Sequence, residues 1–188
     1  MENMQENETG GRTQRLIIRI MERRDIEAAR LMHNADDTLL YLSDVEHISE
    51  AQQDKWFNNL SLSPCSRRYT VIEADSGDFV GVFRADNLDW KNRSVCVGLD
   101  IERSKRGKRY SYEIYHYFLN YFFTQCGLHR AYLATLDTNE LAQKLYMNLG
   151  FSIEGRSRGA LFRDGSFKDL IWMSMLASEY LDRENSST

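Results

Sequence analysis

The chain has little of the punctuation that marks loop-rich or stapled proteins: one proline, Pro64, and three cysteines, Cys65, Cys96 and Cys126, in 188 residues. Three is an odd number, the spacing is wide, and neither a C-x-x-C pair nor a nearby histidine pair completes a zinc site, so a disulfide framework and a structural metal are both excluded as organising devices. The thiols read as reduced and mostly core, because a free cysteine behaves as a small hydrophobe. Long apolar runs are absent too. Tyr121 to Phe123 and Ile171 to Leu176 fall far short of the roughly 18–20 residues that cross a bilayer, and MENMQENETGGRTQ lacks the apolar centre of a signal peptide. The expectation is a cytoplasmic protein with no membrane partner. No charge of one sign dominates either: the net charge is −4 and the basic residues are scattered, which gives no phosphate-tracking surface and argues against nucleic acid as a ligand.

What is present is enough apolar material for one packed core, with 42% hydrophobic and 12% aromatic residues. The length suits one domain. Residues 1–14 are polar and without period and read as a flexible tail, residues 15–182 as one domain, and 183–188 as a second tail.

Arg15 to Met21 is short and β-branched, a first strand, and Asp25 stands at the N-cap of a helical pattern through Ile26, Ala29, Leu31 and Met32. Ser49 with Gln52 is a capping box that opens a helix through Trp56, Phe57 and Leu60. Tyr69 to Ala74 and Phe79 to Ala85 are strands joined by a tight turn at Gly77, and Val95 to Ile101 is another. A basic loop, KRGKR, then leads into an amphipathic helix from Tyr110 to Gln125, with Gly127 just beyond its end. Arg130 to Leu136 is a strand, Asn139 to Leu149 a helix closed by Gly150, and Phe151 to Met175 a hairpin about Arg163-Asp164-Gly165-Ser166. A meander followed by β-α-β-α-β predicts an α/β fold: a mixed sheet with helices on both faces.

Two segments carry chemistry. Arg106-Gly107-Lys108-Arg109-Tyr110-Ser111 leaves a strand and opens a helix, so backbone N–H groups and the positive helix end point at one place, with three cations beside them. That suits a phosphate-bearing cofactor; a solvated basic loop is the plain alternative. In Asn139-x-x-Ala142-x-x-x-Tyr146, helical spacing sets an amide and a phenol on one stripe. Asn139 as a simple N-cap and Tyr146 as a core aromatic is the competing reading.

RGKRYS opening a helix, followed by TNELAQKLYMNLGF, FSIEGRSR and RDGSFKDLIWMSML, resembles the Gcn5-related N-acetyltransferases, the GNAT family. The likeness is greatest to the branch of ribosomal-protein N-terminal and spermidine acetyltransferases, and the opening RLIIRIMERRD matches it as well. The resemblance spans about Arg15 to Leu181 and implies a mostly antiparallel central sheet, acetyl-CoA as cosubstrate, and a possible homodimer. In the family a Q/R-x-x-G-x-G/A loop binds the CoA pyrophosphate; here Arg106 matches its first position and Ser111 its last, while Arg109 replaces the middle glycine. Asn139 matches the residue that bonds the pantetheine arm, and Tyr146 the one beside the thioester sulfur.

The resemblance thus implies transfer of acetyl to an amine of a small molecule, such as a polyamine or amino sugar, or to a protein N-terminus, by direct attack on the thioester. Arg106, Gly107, Lys108, Arg109, Tyr110, Ser111 and Asn139 would hold the cofactor, a backbone N–H near Leu99 to Ile101 would hold the oxyanion, and Tyr146 would protonate the leaving thiolate. Asp36, Asp37, Asp44, Glu46 and Glu50 crowd the stretch that should border the acceptor, with Asp44 and Glu46 as its amine-binding residues. The base is open among Asp44, Glu46, Asp100, Glu102, His33, His47 and a water relay. The substitution at Arg109 keeps a second reading in view, a catalytically silent acyl-CoA-binding or regulatory module, and a protein-docking domain is the third.

Overall fold

The computed structural model describes residues 10–42 and 45–186. Eight strands form one sheet in the order β1-β2-β3-β4-β5-β6-β8-β7: β1 Gly10–Arg12, β2 Leu16–Ile20, β3 Arg67–Glu73, β4 Phe79–Asp89, β5 Ser94–Ile101, β6 Arg130–Leu136, β7 Ser152–Arg163 and β8 Ser166–Leu176. The helices are α1 Ile26–His33, α2 Asp36–Leu39, α3 Glu50–Ser61, α4 Tyr110–Asn120, α5 Glu140–Leu149 and α6 Ala177–Ser186. Neighbouring strands run antiparallel except β5 and β6. That pair is parallel because α4 carries the chain back between them, as a parallel connection requires.

Alternation along β4 separates two apolar layers. Phe83 is fully buried on the α4 face, stacked on Phe118 with ring centroids 3.7 Å apart, and joins Ile114, Tyr115 and Phe122 in the larger core. Its neighbour Val82 turns to the opposite face and packs with Met21, Ile26, Ala29 and Met32, covered by Trp56 and Phe57 of α3. Burying a Phe or Ile side chain contributes about 1.5–3 kcal/mol, so these two layers fix which helix covers which face.

Several local expectations need correction. Residues 10–12, expected to belong to an N-terminal tail, instead form a strand paired with Ile17 to Arg19 at the sheet edge. At the other end α6 continues through residues 183–186, where a second tail was expected. Asp25 does not cap α1 through its side chain. It is buried and bridges Arg19 at 2.6 and 2.8 Å, also accepting from the Glu22 N–H and the Thr70 hydroxyl. Burial pushes its carboxyl up, but Arg19 and these hydrogen bonds outweigh burial and the net displacement is downward. The long helix does not keep one pitch to Gln125: from Tyr121 its turn widens, with the Cys126 N–H reaching the Tyr121 carbonyl five residues back. Of the cysteines expected in the core, Cys126 packs against the larger core from its edge. Cys65 is exposed, and Cys96 and Cys126 are half-buried.

Candidate active site

Strand β5 touches β6 over three residue pairs only, Ser94 with Arg130, Val95 with Ala131 and Cys96 with Tyr132. Beyond Cys96 the two strands part, while β5 stays paired with β4 as far as Ile101. The Glu102 N–H donates to the Val80 carbonyl on β4. Since alternate residues of a strand address opposite neighbours, Leu99 and Ile101 turn their backbone groups into the gap. The Ile101 carbonyl there accepts Arg106 Nε at 2.9 Å.

The gap opens into a cavity of about 530 Å³. Its lining includes Leu99, Ile101, Arg106, Gly107, Arg109, Tyr110, Ser111, Asn139 and Tyr146, nine of the residues that two separate sequence segments and one strand end had nominated. Arg84 and Asp100, on the α1 face, and Tyr115, on the α4 face, also line it. The cavity therefore passes through the sheet.

The wall at the start of α4 suits a polyphosphate. Gly107 and Arg109 both have positive φ, +79° and +63°, so the chain bends sharply and aims its amides outward. Among the described residues, no acceptor takes the N–H groups of Gly107 to Ser111. Those amides and the helix dipole are the ordinary means of holding an anion. Arg109 occupies the left-handed region that favours glycine, which explains in physical terms why glycine is usual there. Its exposed guanidinium makes no hydrogen bond or ion pair among the described residues and stands free at the cavity rim.

The other cations of the loop are committed. Lys105 bridges Glu73 and Asp78. Lys108 reaches Glu73 at 3.2 Å and does not line the cavity, so its side chain is not a wall of the expected cofactor site. The hydroxyl of Tyr110 donates to the same Glu73 at 2.7 Å. That hydrogen bond, with those from Lys105 and Ser76, holds the Glu73 carboxyl far below the usual carboxylate range. Arg106 turns across the cavity to Asp37 Oδ2 at 2.5 Å and to Thr38 Oγ1 at 3.0 Å, tying α2 to the loop.

Asn139 caps α5, its Oδ1 accepting the Ala142 N–H at 3.2 Å, and also lines the cavity. The two readings of this residue are compatible. Gly150, at φ +106°, closes the same helix with the Phe151 N–H on the Tyr146 carbonyl. Tyr146 lies two turns further along the same helical stripe as Asn139, and its ring stands 5.6 Å from that of Tyr115. Burial pushes the Tyr146 phenol above its ordinary value; a hydrogen bond from Tyr115 and the charge of Arg84 pull it back without cancelling the rise. The group stays protonated at neutral pH, the state an acid needs.

The acidic stretch is not the lining that was expected. Asp37 alone of its described members lines the cavity, and Arg106 neutralises it. Glu46 does not line it, nor do Asp36, Glu50, His33 or His47; His33 Nε2 meets the Glu46 backbone carbonyl instead. Asp44 lies outside the described residues. Glu102 caps the next turn through the Ser104 N–H, whereas Asp100 lies in the cavity, 3.3 Å from Arg84 Nε. Thr38, Tyr41, Arg84 and Tyr115 are lining residues that the motifs did not point to. Arg84 carried a signal: it is the one charge inside the apolar run from Phe79 to Ala85.

A parted pair of parallel strands, a helix start with unpaired amides and a protonated phenol meet in one cavity, an arrangement that suits an acyl-CoA-dependent transferase. The model of the GNAT acetyltransferase domain matches residues 18–172. The chain belongs to the GNAT family and is an acetyl-CoA-dependent N-acetyltransferase. It is 26% identical to the spermidine N(1)-acetyltransferase of Vibrio cholerae, over 89% of this chain and 96% of that one. It is also 26% identical to a Bacillus subtilis protein provisionally named a ribosomal N-acetyltransferase, over 88% and 93%. The crystal structure of the Vibrio cholerae spermidine N-acetyltransferase with CoA and spermine superposes with a TM-score of 0.85 at 25% identity, covering 90% of this chain and 99% of that one. No helix among the described residues is long and apolar enough to cross a membrane.

Proposed function

We propose that this cavity acetylates a primary amine of the polyamine class, with Tyr146 as general acid. The observation that carries the reading is the meeting, in one cavity through the sheet, of the α4 amides, the Leu99 and Ile101 backbone groups and Tyr146. Acetyl-CoA brings the activated acyl group as a thioester. The residues of the chain that suit it are the amides of Gly107 to Ser111 and the free Arg109 guanidinium for the phosphates, and the Asn139 amide for the arm between phosphate and sulfur. Leu99 and Ile101 present backbone N–H groups to the developing oxyanion. Tyr146 holds its proton at Oη and releases it to the departing sulfur. Placing both reactants along one channel supplies much of the acceleration without a covalent enzyme step.

The polyamine acceptor is supported by the spermidine acetyltransferases among the relatives. The described cavity is neutral on its acceptor side, Arg84 facing Asp100 and Arg106 facing Asp37, so the amine must be recognised there by shape and hydrogen bonding more than by a field of free acids. A homodimer, a cytoplasmic location and the absence of a nucleic-acid ligand belong to the same proposal. The test is a panel of polyamines, amino sugars and peptides with free N-termini, read by release of the CoA thiol. Polyamines should give the highest kcat/KM. A peptide or amino sugar that outpaces every polyamine refutes the acceptor and leaves the chemistry standing.

A further inference from the structure

Tyr115 is fully buried, at 1% exposure, within the larger core. Phe83, Tyr146 and Phe151 pack around its ring at centroid distances of 5.6, 5.6 and 6.3 Å. Phenylalanine would fill that space equally well. A buried phenol is retained only where its hydroxyl finds a partner, since desolvating it otherwise costs more than the ring gains over Phe. Among the described residues the one polar partner of the Tyr115 hydroxyl is Tyr146 Oη, at 3.4 Å. The separation is longer than an ordinary O–H···O bond, as catalytic hydrogen bonds commonly are before substrates bind.

The direction of that hydrogen bond matters. With Tyr115 donating to Tyr146 Oη, the proton of Tyr146 is left to point into the cavity, where the leaving sulfur must receive one. When Tyr146 gives up its proton, the S–H bond forms, the O–H bond breaks, and the negative charge stays on Tyr146 Oη. Tyr115 is then the neutral donor to that phenolate, and the proton returns to Oη from the acylated nitrogen by way of solvent. Three further groups, from two strands, face this pair: Arg84 on β4, and Cys96 and Asp100 on β5. Arg84 favours the phenolate and Asp100 opposes it, so the fixed hydroxyl of Tyr115 is the contact that acts on Tyr146 alone.

We infer that Tyr115 is a positioning residue for the acid Tyr146, orienting its proton towards the leaving group and holding the phenolate that remains. The inference rests on the reading of Tyr146 as general acid. Burial raises the Tyr115 phenol well above its ordinary value, which keeps it a donor throughout the working range.

A double-mutant cycle on the intact protein tests it, with acetyl-CoA and the best amine of the panel. Tyr115→Phe should lower kcat roughly three- to tenfold, the effect of losing one hydrogen bond, and leave both KM values unchanged. In a Tyr146→Phe background the same substitution should change nothing. A spectroscopic readout stands apart from rate: the ultraviolet phenolate titration attributable to Tyr146, taken as the difference from Tyr146→Phe, should move to higher pH in Tyr115→Phe. If Tyr146→Phe leaves kcat intact, the acid assignment fails and the inference with it. If Tyr146→Phe slows the enzyme but Tyr115→Phe costs the same factor in both backgrounds, or the titration does not move, Tyr115 is packing alone and only the inference is overturned.

Discussion

The α4–α5 wall of the cavity and the α2 wall opposite treat charge in contrasting ways. On the first, the amides of Gly107 to Ser111 and the Arg109 guanidinium have no partner among the described residues; on the second, Asp37 is closed off by Arg106 at 2.5 Å. A wall with open donors is prepared for an anion that arrives with its own charge. A wall whose acid is already paired selects by shape and contact. On the proposed reading, the cofactor side is preorganised by backbone, and the acceptor side by a side-chain latch that belongs half to the α4 loop.

The largest effect that would sharpen this contrast is at the junction of the two walls. Tyr146→Phe should lower kcat by about 10²-fold or more, the usual contribution of a general acid, while acetyl-CoA affinity measured by titration stays put. Retained turnover would move the acid elsewhere.

Next is Arg109→Gly. The left-handed backbone of Arg109 costs about 1–2 kcal/mol that glycine does not, so the variant should be more stable by about 1 kcal/mol in chemical denaturation, with acetyl-CoA binding equal or tighter. A sharp loss of affinity would make the guanidinium itself a phosphate ligand, and the open wall would then rest on a side chain after all.

Arg106→Met should act across the cavity. The Arg106 side of its ion pair is more than a third exposed and the pair is worth little in stability, yet it positions α2, so the acceptor KM should rise about threefold with little change for acetyl-CoA. The reverse pattern, a cofactor defect with a normal acceptor KM, would break the comparison outright.

The smallest expected change is none. Because burial raises the Tyr146 phenol above its ordinary value of about 10, kcat should show no descending limb with its midpoint below that pH. A fall near neutral pH would require another acid.

Local grammar made much of this molecule legible in the sequence. Strand β6 and the cap residues of α5, Asn139 and Gly150, could be read from neighbours within a few positions, and Gly165 marked the final hairpin. The features that escaped are those set by distant partners. Nothing within β5 or β6 says that their pairing stops at Cys96 and Tyr132. Arg106 looked like part of a phosphate loop, but its side chain is claimed by residues 68 and 69 positions away. Asp25 fitted an N-cap until Arg19 and Thr70 took its carboxylate. A run of acids from Asp36 to Glu50 suggested a charged cleft, yet charge in sequence does not say which members face inward or which are already paired. Tyr115 read as one more aromatic on a helix face, and only the position of Tyr146 gives its hydroxyl a meaning.

The central claim is that the acetyl group passes directly from acetyl-CoA to the amine within this one cavity. The half-buried Cys96, the cysteine nearest the parted strands, has its thiol pushed up by burial and by Asp86, a poor state for a nucleophile. Intact-protein mass spectrometry during a single turnover, with acetyl-CoA at one equivalent and a polyamine in excess, tests the claim most directly. The protein mass should stay unmodified at every time point while the amine gains one acetyl group and CoA thiol appears at the same rate. An acetylated protein species that forms and decays at the rate of transfer, or thiol release that proceeds without amine, would contradict it.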